Sequence, residues 1–362
     1  MVTANGDRPL FSNVVVLMTA LVPTVGHVNL INFANKIGAI THVIVSERSN
    51  EPTSGKNRIS ALYNDLNGKR STTRFHLHSD DNAPQNPDPT LEFDDQFWKY
   101  WETTIRSFIG HPPGKIAVVG SEPYCAIVAK ILGGVYVPYD VGRTIHSAKG
   151  TNVRENISRH WTYIAPSFRK HLSLNVVMFG QESVGKTTMA KSTARDLYNG
   201  RFIPEWARLY LEQPEIGPEV TGEKMDTITL GQYSVELNTI NDPNYQINVF
   251  DTDLLSTIGY YRIFGGKNDD INGFYDQIRR QSDRLYILLP DDIPFEPDIL
   301  RYGDGVREST YQFWKDLLVE FGCNFVEVPR GLDIRRKRIW IHEEIIWHLN
   351  DKYRPIKEFT RE

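Results

Sequence analysis

The stretch Val176-Val177-Met178-Phe179-Gly180-Gln181-Glu182-Ser183-Val184-Gly185-Lys186-Thr187-Thr188 decides how the chain is read. Apolar residues stop at a glycine, and a second glycine precedes Lys-Thr. This is G-x-x-x-x-G-K-[ST], the phosphate-binding loop, set between a predicted strand and a predicted helix. A loop that wraps a polyphosphate must bring several backbone N–H groups to one centre. Gly180 and Gly185 allow that path because they lack a Cβ. Lys186 has the length to reach the β- and γ-phosphates of ATP, and the Thr187 hydroxyl is placed to ligate Mg²⁺. Ser183 and Thr188 complete the phosphate-binding set. The helix starting near Lys186 adds a partial positive charge. An ordinary glycine-rich turn is the bland alternative, and the flanking strand and helix argue against it.

Downstream, residues 202–210 carry Glu205 just after a second strand. That places a carboxylate beside the loop, either to hold or deprotonate an acceptor hydroxyl or to form a surface ion pair. Residues 224–240 have helical spacing. The run Ile247-Asn248-Val249-Phe250-Asp251-Thr252-Asp253 is an apolar strand ending in aspartate, as a metal-side carboxylate requires. Asp251 is the metal-side residue, and Asp253 either orients the acceptor or caps a helix. Further strands are predicted over 284–290 and 324–328, and a last helix over 334–349.

Upstream, strands are predicted over 13–18, 41–45, 73–78, 115–120 and 135–138, alternating with helices. His27, in Thr24-Val25-Gly26-His27, sits near a helix N-terminus where an anion would bind. The same residues also fit a capped helix start with a surface histidine. His76 and His78 share a strand face but have no third metal ligand in view, so they read as surface residues. Trp98 and Trp101 read either as core or as rings stacking on a flat ligand. The loop 143–153 brings Ser147 and Thr151 ahead of Arg154, which is expected in the first turn of a new helix. Open parallel α/β sheets bind ligands outside the carboxyl ends of their strands, so the 24–27 and 143–154 loops suit one anionic ligand.

At 362 residues the chain is long for one core, and two α/β domains follow: 1–168 and 169–362, each a doubly wound parallel sheet. A net charge of −4 argues against a broad nucleic-acid or membrane surface. Cys125 and Cys323 lie far apart, with no metal spacing and no disulfide framework, which fits a reducing compartment. Residues 14–22 are too short to span a bilayer. A soluble cytoplasmic protein is expected, with homo-oligomerisation left open.

The pair T-x-G-H and S-x-x-G-T-x-x-R resembles the nucleotidylyltransferase superfamily. Arg143-Thr144, Ser147 and Arg154-Glu155-Asn156, then Trp161 and Tyr163-Ile164, look like the bifunctional nicotinamide-nucleotide (NMN) adenylyltransferase/ribosylnicotinamide kinase proteins of NadR type. Those proteins have a Rossmann-like adenylyltransferase domain first and a P-loop kinase second. Glu205 and Arg208 match their E-[YW]-[AG]-R segment, and Gly231-Gln232 and the D-T-D run also match. The segment 291–301 resembles their P-W-x-x-D-G-L-R, which brings in Asp298 and Arg301, the latter to neutralise charge at the transferred phosphoryl group.

The resemblance implies an enzyme of NAD salvage. The second domain would phosphorylate nicotinamide riboside with ATP, using Lys186, Glu205 and Asp253, with Trp98, Trp101, Arg208 and Asp298 as substrate-binding residues of the whole protein. The first domain would join NMN to ATP, giving NAD and pyrophosphate, with His27, Arg154, Thr24 and Gly26 as the charge-stabilising set. The family's DNA-binding helix-turn-helix has no counterpart here, since the first strand begins near residue 14. Met18, Thr19 and Ala20 stand where a glycine is usual, and Thr24 stands in place of the superfamily's first histidine. The rival readings are a kinase with a degenerate first domain, the same architecture with another acceptor, and a non-catalytic NAD sensor.

Overall fold

The computed structural model describes residues 9–68, 70–240, 242–264, 272–279, 283–293 and 310–360. The chain forms two compact units, one running to Arg169 and taking in the chain from Tyr353 onward, the other Lys170–Lys352.

In the first unit, β1 (Phe11–Met18), β2 (Gly38–Glu47), β3 (Thr73–Ser79), β4 (Ile116–Gly120) and β5 (Val135–Pro138) form one sheet in the order β3-β2-β1-β4-β5. Every pairing is parallel. Val14, Val15 and Val16 of the central strand are fully buried. A β-branched run covered on both faces is what a central parallel strand requires. The crossovers carry α1 (Val25–Ile37), α2 (Gly55–Asn64), α3 (Asp95–Ile109) and α4 (Tyr124–Ile131), followed by the short α5 (Gly150–Glu155) and α6 (Pro166–Arg169). On one face α3 and α4 bury Ile105, Ile109, Val128 and Ala129 against Val15, Ile44 and Val118 of the sheet.

The second unit repeats the plan. β6 (Leu174–Phe179), β7 (Gly200–Ile203), β8 (Ile247–Phe250), β9 (Leu285–Leu288) and β10 (Asn324–Glu327) lie in the order β10-β9-β6-β8-β7, again all parallel. Its helices are α7 (Lys186–Asp196), α8 (Trp206–Leu211), α9 (Gly222–Ile240), α10 (Leu254–Phe264), α11 (Asn272–Arg279), α12 (Tyr311–Glu320) and α13 (Ile334–Glu358). Trp314 of α12 is fully buried, edge-on to Phe179 at 5.3 Å. No helix among the described residues is long and apolar enough to cross a membrane.

Both sheets place the strand that starts the unit at their centre. β1 is flanked by β2 and β4, and β6 by β8 and β9. The chain therefore winds away from each central strand in both directions. The crevice this opens at the strand's carboxyl end is where open α/β sheets bind ligands.

Candidate functional site

Each unit carries a polar cluster on the loop leaving its central strand. In the second unit the loop after β6 turns on positive φ at Gly180 (132°), Ser183 (57°) and Gly185 (89°). A Cβ at Gly180 would stand 3.2 Å from the Leu289 carbonyl, so the backbone also needs glycine there for space. Lys186 opens α7, and its Nζ donates to the Gly180 and Gln181 carbonyls, both at 2.8 Å, and to the Tyr260 hydroxyl at 3.3 Å. Thr187 Oγ1 donates to Asp251 Oδ2 at 2.7 Å. Burial pushes the Asp251 carboxyl above its ordinary range, against the Thr187 hydrogen bond and the charges of Lys186, Arg208 and Lys191. Thr188 is exposed on the first turn of the same helix.

A hydroxyl and a carboxylate held side by side next to a phosphate-binding loop are hard oxygen donors suited to Mg²⁺. Among the described residues no three His, Cys, Asp or Glu side chains gather as a metal site. The pair fits an ion that takes its other ligands from phosphate and water, which is how Mg²⁺ usually binds.

Glu205 stands at the start of α8, partly buried. Its charge, with those of Glu182 and Asp251, adds to burial in holding the Tyr260 phenol protonated well above its ordinary range. Arg208, one turn into α8, acts on Asp251 and pairs with Glu212 at 3.5 Å. Lys186 and Arg208 thus act on Asp251, and Asp251, Glu182 and Glu205 act on Tyr260. Tyr260 escaped the sequence reading, although it lies seven residues beyond Asp253, two turns along one helical face. The Gly231-Gln232 pair has a packing explanation. A Cβ at Gly231 would stand 2.4 Å from the Trp206 ring, and Gln232 Oε1 accepts from the Trp206 N–H at 3.2 Å. α9 thereby sets the position of α8.

Asp253, expected to orient the acceptor, is committed elsewhere. Its Oδ1 accepts from Ser256 N (2.9 Å) and Oγ (3.0 Å), and its Oδ2 from the Tyr286 hydroxyl (2.6 Å) and Arg284 Nη1 (3.1 Å). Arg284 also pairs with Glu236 at 2.7 Å, and all three charged groups are at most 1% exposed. This carboxylate caps α10 and ends a buried ion network, with both oxygens occupied. Asp298 and Arg301 lie outside the described residues.

In the first unit Thr24 caps α1, whose first turn holds Gly26 and His27. The Thr24 N–H donates to His27 Nδ1 at 3.0 Å, Thr24 Oγ1 lies 2.8 Å from the same nitrogen, and the His27 N–H donates to Oγ1 at 3.3 Å. A backbone N–H only donates, so Nδ1 accepts and the proton sits on Nε2. Burial, then the nearby Arg143 charge, lowers the His27 pKa to about 4. The ring is therefore a neutral hydrogen-bond donor at pH 7. The 143–154 loop meets it: a Cβ at Gly150 would lie 3.8 Å from His27 Cε1, and one at Gly26 would lie 3.6 Å from the His146 Cβ and Cγ. Arg143 pairs with Glu122 at 2.7 Å.

Arg154 falls in the last turn of the six-residue α5, not its first, because the helix starts at Gly150. Its Nη1 reaches the Phe359 carbonyl at 3.4 Å. Ser147 and Thr151 are exposed on the same segment.

The expectation of a ligand-stacking ring at Trp98 needs correction. Trp98, only 7% exposed, belongs to the core, edge-on to Phe97 at 4.8 Å and stacked on Phe93 at 6.1 Å. The amphipathic face of α3 takes it inward and leaves little ring for a flat ligand. Trp101 is partly buried, its indole N–H donated to the Pro84 carbonyl at 3.2 Å. His76 and His78 are likewise not surface residues, since α3 covers their face of β3. His76 packs on Phe108 at 5.1 Å and bonds His42 at 3.1 Å, while His78 bonds Tyr100 at 3.0 Å.

A family model described as an AAA domain matches residues 175–336, the stretch containing the phosphate loop and Asp251. Over 242 residues the chain is 27% identical to the trifunctional NAD biosynthesis/regulator protein NadR of Salmonella typhimurium, a match covering 65% of this chain and 58% of that protein. The matched part thus spans a little over half the length of its curated relative. Two crystal structures of NadR protein, one in complex with NR and one with NAD and AMP-PNP, superpose with a TM-score of 0.62 at 21% identity, covering 97% of this chain and 98% of theirs. The resemblance to NadR-type proteins holds in sequence, and the two-unit α/β fold is the NadR fold.

Proposed function

We propose that the chain makes NAD from nicotinamide riboside in two ATP-consuming steps, one in each unit. A single observation carries this reading: each unit sets a phosphate-directed cluster on the loop after its central strand, and the two clusters differ in chemistry. We assign the steps to the domains 1–168 and 169–362.

The second domain phosphorylates the riboside. Lys186, with the loop around Gly180, Ser183 and Gly185, holds the ATP phosphates, and Thr187 and Asp251 hold Mg²⁺. When bound, that ion neutralises charge on the β- and γ-phosphates. Glu205 is the carboxylate left to orient the 5′-hydroxyl and take its proton, since Asp253 is consumed by the buried ion network. Arg208 supports the acceptor side. The transfer needs little covalent work from the protein, so positioning and charge carry the rate.

The first domain joins NMN to ATP. The NMN phosphate oxygen attacks the α-phosphorus, the bond to the bridging oxygen breaks, and pyrophosphate leaves. A phosphate is already a competent nucleophile at pH 7, so the site needs charge stabilisers and no base. His27 offers a neutral N–H, Arg154 a fixed positive charge, and Ser147 and Thr151 hydroxyls. Trp101, partly buried, is the ring we propose for contact with the nicotinamide. The protein's partners are then small molecules, and its compartment is the cytoplasm.

The test is one reaction followed by chromatography. Purified protein with ATP, Mg²⁺ and nicotinamide riboside should give NMN and then NAD, and a parallel reaction should turn NMN into NAD. Accumulation of NMN with no NAD in either reaction would restrict the activity to the kinase. No reaction with either substrate would sink the whole assignment.

A further inference from the structure

We infer that His146 is a second imidazole donor to the nucleotide phosphates in the adenylyltransferase site, paired with His27 across the first turn of α1. The inference rests on the adenylyltransferase reading and deepens it, because no motif assigns this residue.

Placement is the first observation. His146 lies on the loop from β5 to α5, and its Cβ and Cγ sit 3.6 Å from where a Cβ at Gly26 would be. The imidazole therefore lies against the same turn that presents His27, at ordinary van der Waals distance from the one residue there without a side chain. The loop is built to hold it. Asp140 and Arg143 take positive φ, 46° and 51°. The Asp140 carboxylate accepts from the Ile145 N–H at 3.0 Å and the His146 N–H at 2.9 Å. That contact fixes the backbone of residue 146 itself.

Tautomer is the second observation. Asn29 Nδ2, one turn along α1, lies 3.1 Å from His146 Nε2. An amide nitrogen only donates, so Nε2 accepts and the proton sits on Nδ1. His27 has the mirror arrangement, with Nδ1 accepting from Thr24 and the proton on Nε2. Each ring gives one nitrogen to the scaffold of α1 and keeps one N–H to donate.

Chemistry is the third. The Thr24 hydroxyl is engaged with both the ring and the backbone of His27. From the start of α1, His27 is then left as the imidazole donor for a triphosphate whose charge rises during transfer. His146 supplies a second from the facing loop. As a hydrogen-bond donor it stabilises developing charge and needs no proton transfer.

The test compares His146→Ala, His146→Gln and Asn29→Ala in full-length protein, measuring NAD formation from NMN and, separately, riboside phosphorylation. Removing one such donor should lower kcat for NAD formation by about 10²-fold. Gln, which keeps an N–H donor, should recover most of that loss, and Asn29→Ala should cost only a few-fold. Riboside phosphorylation should be unchanged in all three. An unaltered kcat in His146→Ala, an equal loss in Gln and Ala, or a parallel loss of phosphorylation would overturn the role. If the parent protein makes no NAD from NMN, the adenylyltransferase reading itself fails. ATP affinity of Lys186→Ala protein, with and without His146→Ala, then decides: unchanged affinity removes His146 from nucleotide binding, and weakened affinity keeps it.

Discussion

The two clusters, one proposed for phosphoryl transfer and the other for adenylyl transfer, differ in their electrostatics. In the second unit the loop after β6 is served by full charges: Lys186, Asp251, Glu182, Glu205 and Arg208, with the Tyr260 phenol among them. In the first unit the start of α1 offers imidazoles, and His27 is held neutral at pH 7 by burial and by Arg143. On the proposed two-step reading, the difference follows from the nucleophile. A hydroxyl acceptor must lose a proton and calls for a carboxylate, whereas a phosphate acceptor is already ionised and a nearby carboxylate would only repel it. A polyphosphate loop and a helix start can thus serve the same ligand and different chemistry.

The strongest way to break this comparison is to remove one residue from each side. Lys186→Ala should lower riboside phosphorylation at least about 10²-fold and leave NAD formation from NMN intact, and His27→Ala should do the reverse by a similar factor. Loss of both activities in either variant, seen in paired assays, would mean that the clusters do not work separately.

The next largest effect concerns stability. Asp253→Asn leaves Arg284 with Glu236 as its charged partner but puts an amide where a carboxylate accepted four hydrogen bonds, and should destabilise the second unit by about 2–3 kcal/mol. Denaturant unfolding reads this, whereas Glu205→Gln should slow phosphorylation with little change in unfolding. If Asp253→Asn unfolds like the parent yet loses phosphorylation, Asp253 belongs with the reacting groups after all.

Acid should sharpen the contrast further. His27 and His42 are both lowered from 6.5 to about 4, His42 by burial first and then by His76 and Arg74. Between pH 6.5 and 4 the unfolded chain binds protons that the folded first unit refuses. Stability from these groups is therefore complete above pH 6.5 and is lost as pH falls towards 4. The raised Asp251 works in the opposite direction, since its folded form takes up a proton more readily than the unfolded chain. Thermal unfolding from pH 7 to 4.5 should show the first unit losing stability ahead of the second. A His42→Asn variant should flatten the slope.

The smallest expected effect is at Gly231→Ala. The added methyl meets the Trp206 ring and should cost about 1–3 kcal/mol. Part of that cost should appear as a raised KM for the riboside, because α8 carries Glu205 and Arg208.

Much of this was legible in the residues. The buried valines of β1 and the apolar run of β6 mark central strands, and G-x-x-x-x-G-K-T fixes the loop, lysine and hydroxyl by spacing alone. α12 was missed because its start, a Thr310 cap donating no motif, follows a segment without periodic pattern. Asp253 misled because a helix cap and an acceptor-binding carboxylate look alike in one dimension. Its partners Arg284 and Tyr286 are 31 and 33 residues away. Trp98 misled for a related reason: aromatic spacing on a helix gives the face but not what covers it. His146 and Tyr260 depend on loops and helices meeting in space, which no local pattern encodes.

His27 gives one ring nitrogen to the architecture of α1 and keeps an N–H on the other. Its two duties cannot be tuned apart. A proton on Nδ1 removes the acceptor that the Thr24 N–H uses, so the event that would charge the ring also breaks one half of the capping box that starts the helix. In acid the start of α1 keeps the Thr24 Oγ1 bond to the His27 N–H and loses the return bond, so one helical turn should loosen as the pH falls through about 4.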